Sequence, residues 1–153
     1  MKMKYTLFTL LITVSLTLFS CTKGVDSPRG FSLPKGSVAA GEKVFLKFQC
    51  LACHRINNVE DASIEKNESI SIFLGGNKTE IVTYAELVTS VINPSHKFSN
   101  PARTQVKTAD GQSKMKIFND EMTVTELIDL VTFLQPNYTL VPYRHTKYQY
   151  YPQ

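Results

Sequence analysis

Between residues 50 and 54 the chain reads Cys50-Leu51-Ala52-Cys53-His54, and no other stretch restricts the fold so narrowly. Two thiols three positions apart, with an imidazole directly after the second, form the attachment pattern for c-type haem. The spacing has a physical basis. On a helical turn residues i and i+3 share a face. Cys50 and Cys53 can then reach the edge of one porphyrin, where each thiol adds to a vinyl group and leaves a thioether. His54 follows as the proximal iron ligand. Rival readings of Cys-x-x-Cys need more around them. A thioredoxin-like dithiol wants a preceding strand and a βαβ pattern, and zinc wants a second pair of ligands. The chain's remaining cysteine is Cys21, in a targeting segment.

The signal peptide of that segment comprises residues 1–20. Lys2 and Lys4 precede an apolar run from Leu7 to Phe19, which ends in Leu18-Phe19-Ser20-Cys21. The run is shorter than the ~20 residues a membrane span needs, so a signal peptide is expected. Leu18 three before and Ser20 directly before a cysteine resemble the bacterial lipoprotein signal, which implies a diacylated Cys21 as the mature N-terminus. Two or more acyl chains anchor stably where one is marginal. The alternative is ordinary secretion with Cys21 left as a free thiol, a liability in an exported protein. The expected location is the periplasm of a Gram-negative bacterium, anchored to the inner or outer membrane.

Removing Lys2 and Lys4 leaves 15 basic against 13 acidic residues, too even a balance for a nucleic-acid surface. With 42% hydrophobic and 20% charged residues the chain falls among ordinary globular proteins, and 153 residues make one domain. Residues 21–36, with Gly24, Pro28, Gly30 and Pro34, read as a lipidated tether. Residues 37–136 form the domain. Residues 137–153 form a tail that carries Tyr138, Tyr143, Tyr148, Tyr150 and Tyr151. It either drapes over the domain or docks a partner.

Within the domain the spacing predicts a helix from Ser37 that runs into Cys50, with Val38, Gly41, Val44, Phe45 and Phe48 on one face. A long polar loop from Arg55 to Asn77 leaves room for a short helix around Asp61 to Glu68. Thr83-x-x-Glu86 opens a second helix as a capping box, and Asn93-Pro94 stops it. Thr123-x-x-Glu126 opens the last, with Val124, Leu127, Ile128, Val131 and Leu134 on its core face, widened by Leu130 and Phe133. No strand pattern is found.

A helix leading to Cys-x-x-Cys-His, a long loop, a middle helix, a methionine loop and a closing amphipathic helix together resemble the class I c-type cytochromes. The likeness spans Ser37 to about Gln135. It implies an all-α fold with three main helices around one covalently attached haem c. It also implies that the first and last helices cross at Gly41 and Phe45, against Leu130 and Phe133. The distal ligand it implies is a thioether, and Met115 in Met115-Lys116-Ile117-Phe118 holds that place; Met122 and His96 are the alternatives. Lys116 stands where the family usually has proline. Ile72 stands where many relatives carry the proline whose carbonyl accepts from the proximal histidine, and a backbone carbonyl survives any change of side chain.

The function so implied is one-electron transfer in a bacterial respiratory or sulfur-oxidising chain. Its partners would be a donor dehydrogenase or a terminal oxidase, with no small-molecule substrate. Nothing in the sequence looks enzymatic: it has no nucleophile–base pair, carboxylate dyad or phosphate loop. Two alternatives stand beside this. One is a haem enzyme or sensor with an open distal site, served by a base such as His96. The other is a haem subunit held tightly in a larger oxidoreductase by the tyrosine-rich tail.

Overall fold

Ser37 caps the first helix and ties it to the last. Its Oγ accepts from the Ala40 amide at 3.2 Å, and its own amide donates to Asp129 Oδ1 at 2.7 Å. The protein is seen here as a computed structural model, which describes residues 31–100 and 103–142. The expected signal peptide, Cys21, the tether as far as residue 30 and the tail from residue 143 lie outside the described residues. No helix among the described residues is long and apolar enough to cross a membrane.

Helix α1 covers Val38–Lys47, α2 Tyr84–Ile92 and α3 Val124–Leu134. Four very short strands accompany them: β1 His54–Arg55, β2 Ile72–Phe73, β3 Gly76–Lys78 and β4 Tyr138–Leu140. β1 pairs with β2 and β3 with β4, both in parallel. The fold is mostly helical, with 35% of the described residues in helix and 11% in strand. The expectation of no strands is corrected on this point: segments of two or three residues are too short to show a period-2 alternation.

α1 packs chiefly on α3. A Cβ on Gly41 would overlap the Asp129 carbonyl and come within 2.6 Å of the Phe133 Cβ, so only glycine allows this approach. One turn on, Phe45 is 1% exposed and its ring meets that of Phe133 at 5.7 Å between centroids. Val131 and Leu130 complete the seam, and Leu87, Val88 and Val91 of α2 join the same core.

Three further expectations are corrected. α1 stops at Lys47 and does not run into Cys50. Val124, assigned to the core face, is 75% exposed at the first turn of α3, while Leu130, Val131, Phe133 and Leu134 are buried. No helix forms around Asp61 to Glu68. There Asp61 Oδ1 accepts from the Ser63 amide at 2.8 Å and Asn67 Oδ1 from the Ser69 amide at 2.9 Å. Side chains that capture nearby amides in this way compete with a helix. The loop is also less superficial than its polarity suggests, since Ile56 and Val59 are buried in the core.

Of the two expected capping boxes, the one on α3 is complete. The Glu126 amide donates to Thr123 Oγ1 at 3.2 Å, and the Thr123 amide donates to Glu126 Oε2 at 2.8 Å. On α2 only half is made, because the Glu86 carboxylate pairs with Lys97 at 2.9 Å. Glu126 also accepts from Lys47 of α1. The Lys47 ammonium, and after it the Thr123 amide, hold the Glu126 carboxyl down at about 2, against an ordinary 4.5. A carboxylate with a lowered folded pKa stabilises above its unfolded pKa, and that contribution is lost as pH falls through the folded value. The stability difference between the natural chain and Glu126→Gln is therefore expected to be present at pH 6 and to shrink as pH falls from 4.5 towards 2. Urea unfolding at a series of pH values measures it.

Candidate functional site

Gln49 decides where the thiols point. Its backbone is left-handed, with φ at 53°, a conformation that costs a residue with a side chain about 1–2 kcal/mol. It ends α1 and begins a 3-10 turn over Cys50–Ala52, closed by the Cys53 amide donating to the Cys50 carbonyl at 3.2 Å. On a 3-10 turn residues i and i+3 eclipse. Both thiols thus lie on one side, as expected, although the element carrying them is not α1. His54 leaves the turn as the first residue of β1, opposite Ile72. The Ile72 amide donates to the Cys53 carbonyl at 2.9 Å and the Leu74 amide to the Arg55 carbonyl at 2.8 Å.

These residues face a cavity of about 770 Å³, within the ~300–1,000 Å³ range of cofactor pockets. Cys50, Cys53, His54, Met115 and Met122 all line it. Phe45, Phe48, Leu74, Leu87, Val91, Leu130 and Leu134 supply apolar walls. The 3-10 turn, β1 and the loop before α3 therefore bring every iron donor or attachment point named from the sequence to one space, with the exception of His96. That side chain is exposed, its Nδ1 lies 2.8 Å from the Asn93 carbonyl, and it is not among the described residues lining the cavity.

Burial governs the electrostatics. It lowers the His54 pKa, and the Ile72 backbone opposes it only in part. No hydrogen bond of ordinary geometry reaches His54 Nδ1, the one fully buried side-chain nitrogen or oxygen among the described residues without a partner. Burial also pushes the Cys50 thiol up to about 11, so at neutral pH it is a thiol. Reactive dithiols show the opposite, a lowered pKa. Among the described residues no three His, Cys, Asp or Glu side chains converge as a metal-ion site.

The methionine loop is held from several sides. The Met115 amide donates to Ser113 Oγ at 3.2 Å, the Ser113 amide to Ser95 Oγ at 3.0 Å, and the Lys114 amide to the Val106 carbonyl at 2.9 Å. Lys116 pairs with Glu121 at 2.8 Å and lies 5.1 Å from the Phe118 ring centroid. Phe118 meets Phe48 edge-on at 5.2 Å, which fastens the loop to the end of α1. Met122 lines the cavity and also packs on the core.

Among the lining residues that a reading of the sequence does not place at the site are Phe118 and Tyr138. Phe118 is signalled by its place three after Met115. Tyr138 alternates with Leu140 directly after Pro136-Asn137, a faint strand signal that the many tyrosines of the tail obscure. Burial raises the Tyr138 phenol above its ordinary value. Comparison with protein families, with curated proteins and with solved structures finds no match for this chain. The functional reading therefore rests on the site itself.

Proposed function

We propose that this chain is a one-electron carrier of the class I c-type cytochrome kind, with a single haem attached at Cys50 and Cys53. The observation that carries this reading is the meeting of two thiols, an imidazole and a methionine thioether on one apolar cavity. Such a donor set is poor for a bare ion. It suits a macrocycle that brings its own equatorial nitrogens and asks the protein only for axial donors and points of attachment. Cys50 and Cys53 would hold the ring as thioethers, His54 would be the proximal donor and Met115 the distal one. When bound, the haem supplies the cycling between Fe(II) and Fe(III).

The chain's own residues bind, orient and exclude water. Burial keeps the His54 imidazole neutral, the form that ligates a metal. Burial of Cys50 as a thiol speaks against dithiol exchange. The bonded loop 113–115 presents a thioether, a ligand that raises the reduction potential. No substrate is transformed in this reading. Export, a lipid anchor at Cys21 and a periplasmic partner, either a donor dehydrogenase or a terminal oxidase, belong to the same proposal.

A redox titration with spectra on membranes holding the intact protein tests it. Met115→Ala is expected to remove the far-red sulfur-to-iron band of the ferric protein and to let carbon monoxide bind the ferrous form. Met122→Ala is expected to leave both unchanged. A natural protein without that band, or an unchanged spectrum in Met115→Ala, overturns the distal assignment.

A further inference from the structure

Asn137 to Leu140 begin what the sequence presents as a tail, yet they are built into the cavity wall. Asn137 Nδ2 donates to the carbonyls of Phe133 at 2.9 Å and Leu134 at 3.2 Å, closing the end of α3. Tyr138 then pairs with Gly76, and the Val141 amide donates to the Lys78 carbonyl at 2.8 Å. At Gly75 the approach is backbone to backbone. Its φ is +106°, and a Cβ there would come within 2.6 Å of the Asn137 carbonyl oxygen. The Tyr138 side chain lines the cavity and packs on the core, with Lys78 Nζ 5.7 Å from its ring centroid.

The strand's other connection runs inward. Gly76 and Gly75 continue from Leu74, whose amide is bonded to Arg55, and from Ile72, which lies opposite His54. Two strand pairs, β4 with β3 and β2 with β1, joined covalently through Leu74–Gly75, thus link the end of α3 to the candidate proximal ligand. We propose that Tyr138 is a positioning residue of the site. Its ring anchors β4, and β4 holds the Leu74–Gly76 turn, and with it the backbone that carries His54, against α3. The bracing follows from the fold, and its effect on a haem rests on the function proposed above.

Hydrogen exchange on the full chain as purified, together with its midpoint potential, tests this. Tyr138→Ala is expected to speed exchange of the Ile72 and Leu74 amides by roughly tenfold or more, with the α1 amides within about twofold of the parent. Its midpoint potential is expected to fall, since water admitted beside the iron favours the more highly charged ferric state. Tyr138→Phe, which keeps the ring and loses only the hydroxyl's contact with the Gly75 backbone, is expected to lie far closer to the parent than Tyr138→Ala in both. If the alanine chain does not fold, Tyr138→Val, which keeps strand propensity and removes the ring, is read in the same way. Unchanged exchange at Ile72 and Leu74, or an equal rise throughout α1, overturns the proposal. A purified chain without haem sinks the electron-carrier reading, and the exchange pattern still decides the brace.

Discussion

Replacing both Cys50 and Cys53 by serine is expected to abolish covalent pigment completely. A serine hydroxyl does not add to a vinyl group as a thiol does, so neither thioether can form. The cost of the side-chain exchange itself is modest. Both residues are only partly buried, and exchanging a thiol for a hydroxyl at such a site costs on the order of 1–2 kcal/mol. That is small beside the ~5–15 kcal/mol that holds a domain together. Each single variant is expected to keep a pigment bound through one sulfur. The measurement is pigment stain and intact mass on denatured protein, expressed where c-type maturation is active. A natural chain that shows no added mass and no stain under those conditions removes the haem reading at its root.

Gly41→Leu is expected to be the most damaging single change in the helical core. Alanine at an ordinary helix position gains about 1 kcal/mol over glycine, so local propensity alone argues for a side chain here. The crossing reverses that sign. Even a Cβ overlaps the Asp129 carbonyl, and its nearest side-chain neighbour is the Phe133 Cβ at 2.6 Å. Neither can yield as the tip of a flexible side chain could. α1 and α3 must therefore separate, which opens the contact between Phe45 and Phe133. Overpacking of a core costs ~1–3 kcal/mol and sometimes more, and a backbone clash belongs at the upper end. A fall of roughly 10–20 °C in the thermal midpoint is expected for leucine, and a smaller fall for alanine. A midpoint for Gly41→Ala above that of the natural chain would show that the helices separate at no cost.

How much of this was readable in advance follows from the range of each signal. Ser37, Thr83 and Thr123 announce helices through bonds to amides three residues on, so the starts of α1, α2 and α3 are local facts. The complete box at Thr123 and the half box at Thr83 share one sequence pattern. They differ because Lys97 reaches Glu86 from a loop. Likewise Val124 falls on the apolar period of α3 but lies beyond the reach of the neighbouring helices. The break at Gln49 is not signalled by its side chain, since glutamine has no preference for the left-handed backbone it adopts.

By itself, the sequence determined the three helices, the thiol pair with its histidine, and the order in which these come along the chain. Each depends on residues no more than a few positions apart. Tertiary structure alone decided that Met115 and Met122 share a cavity with His54 while His96 stays outside it. It also decided that Tyr138, 62 residues beyond Gly76, completes the wall. Parallel pairs two or three residues long bury too little and alternate too briefly to be written in a local pattern. They are found where the fold of α1, α2 and α3 brings these segments together.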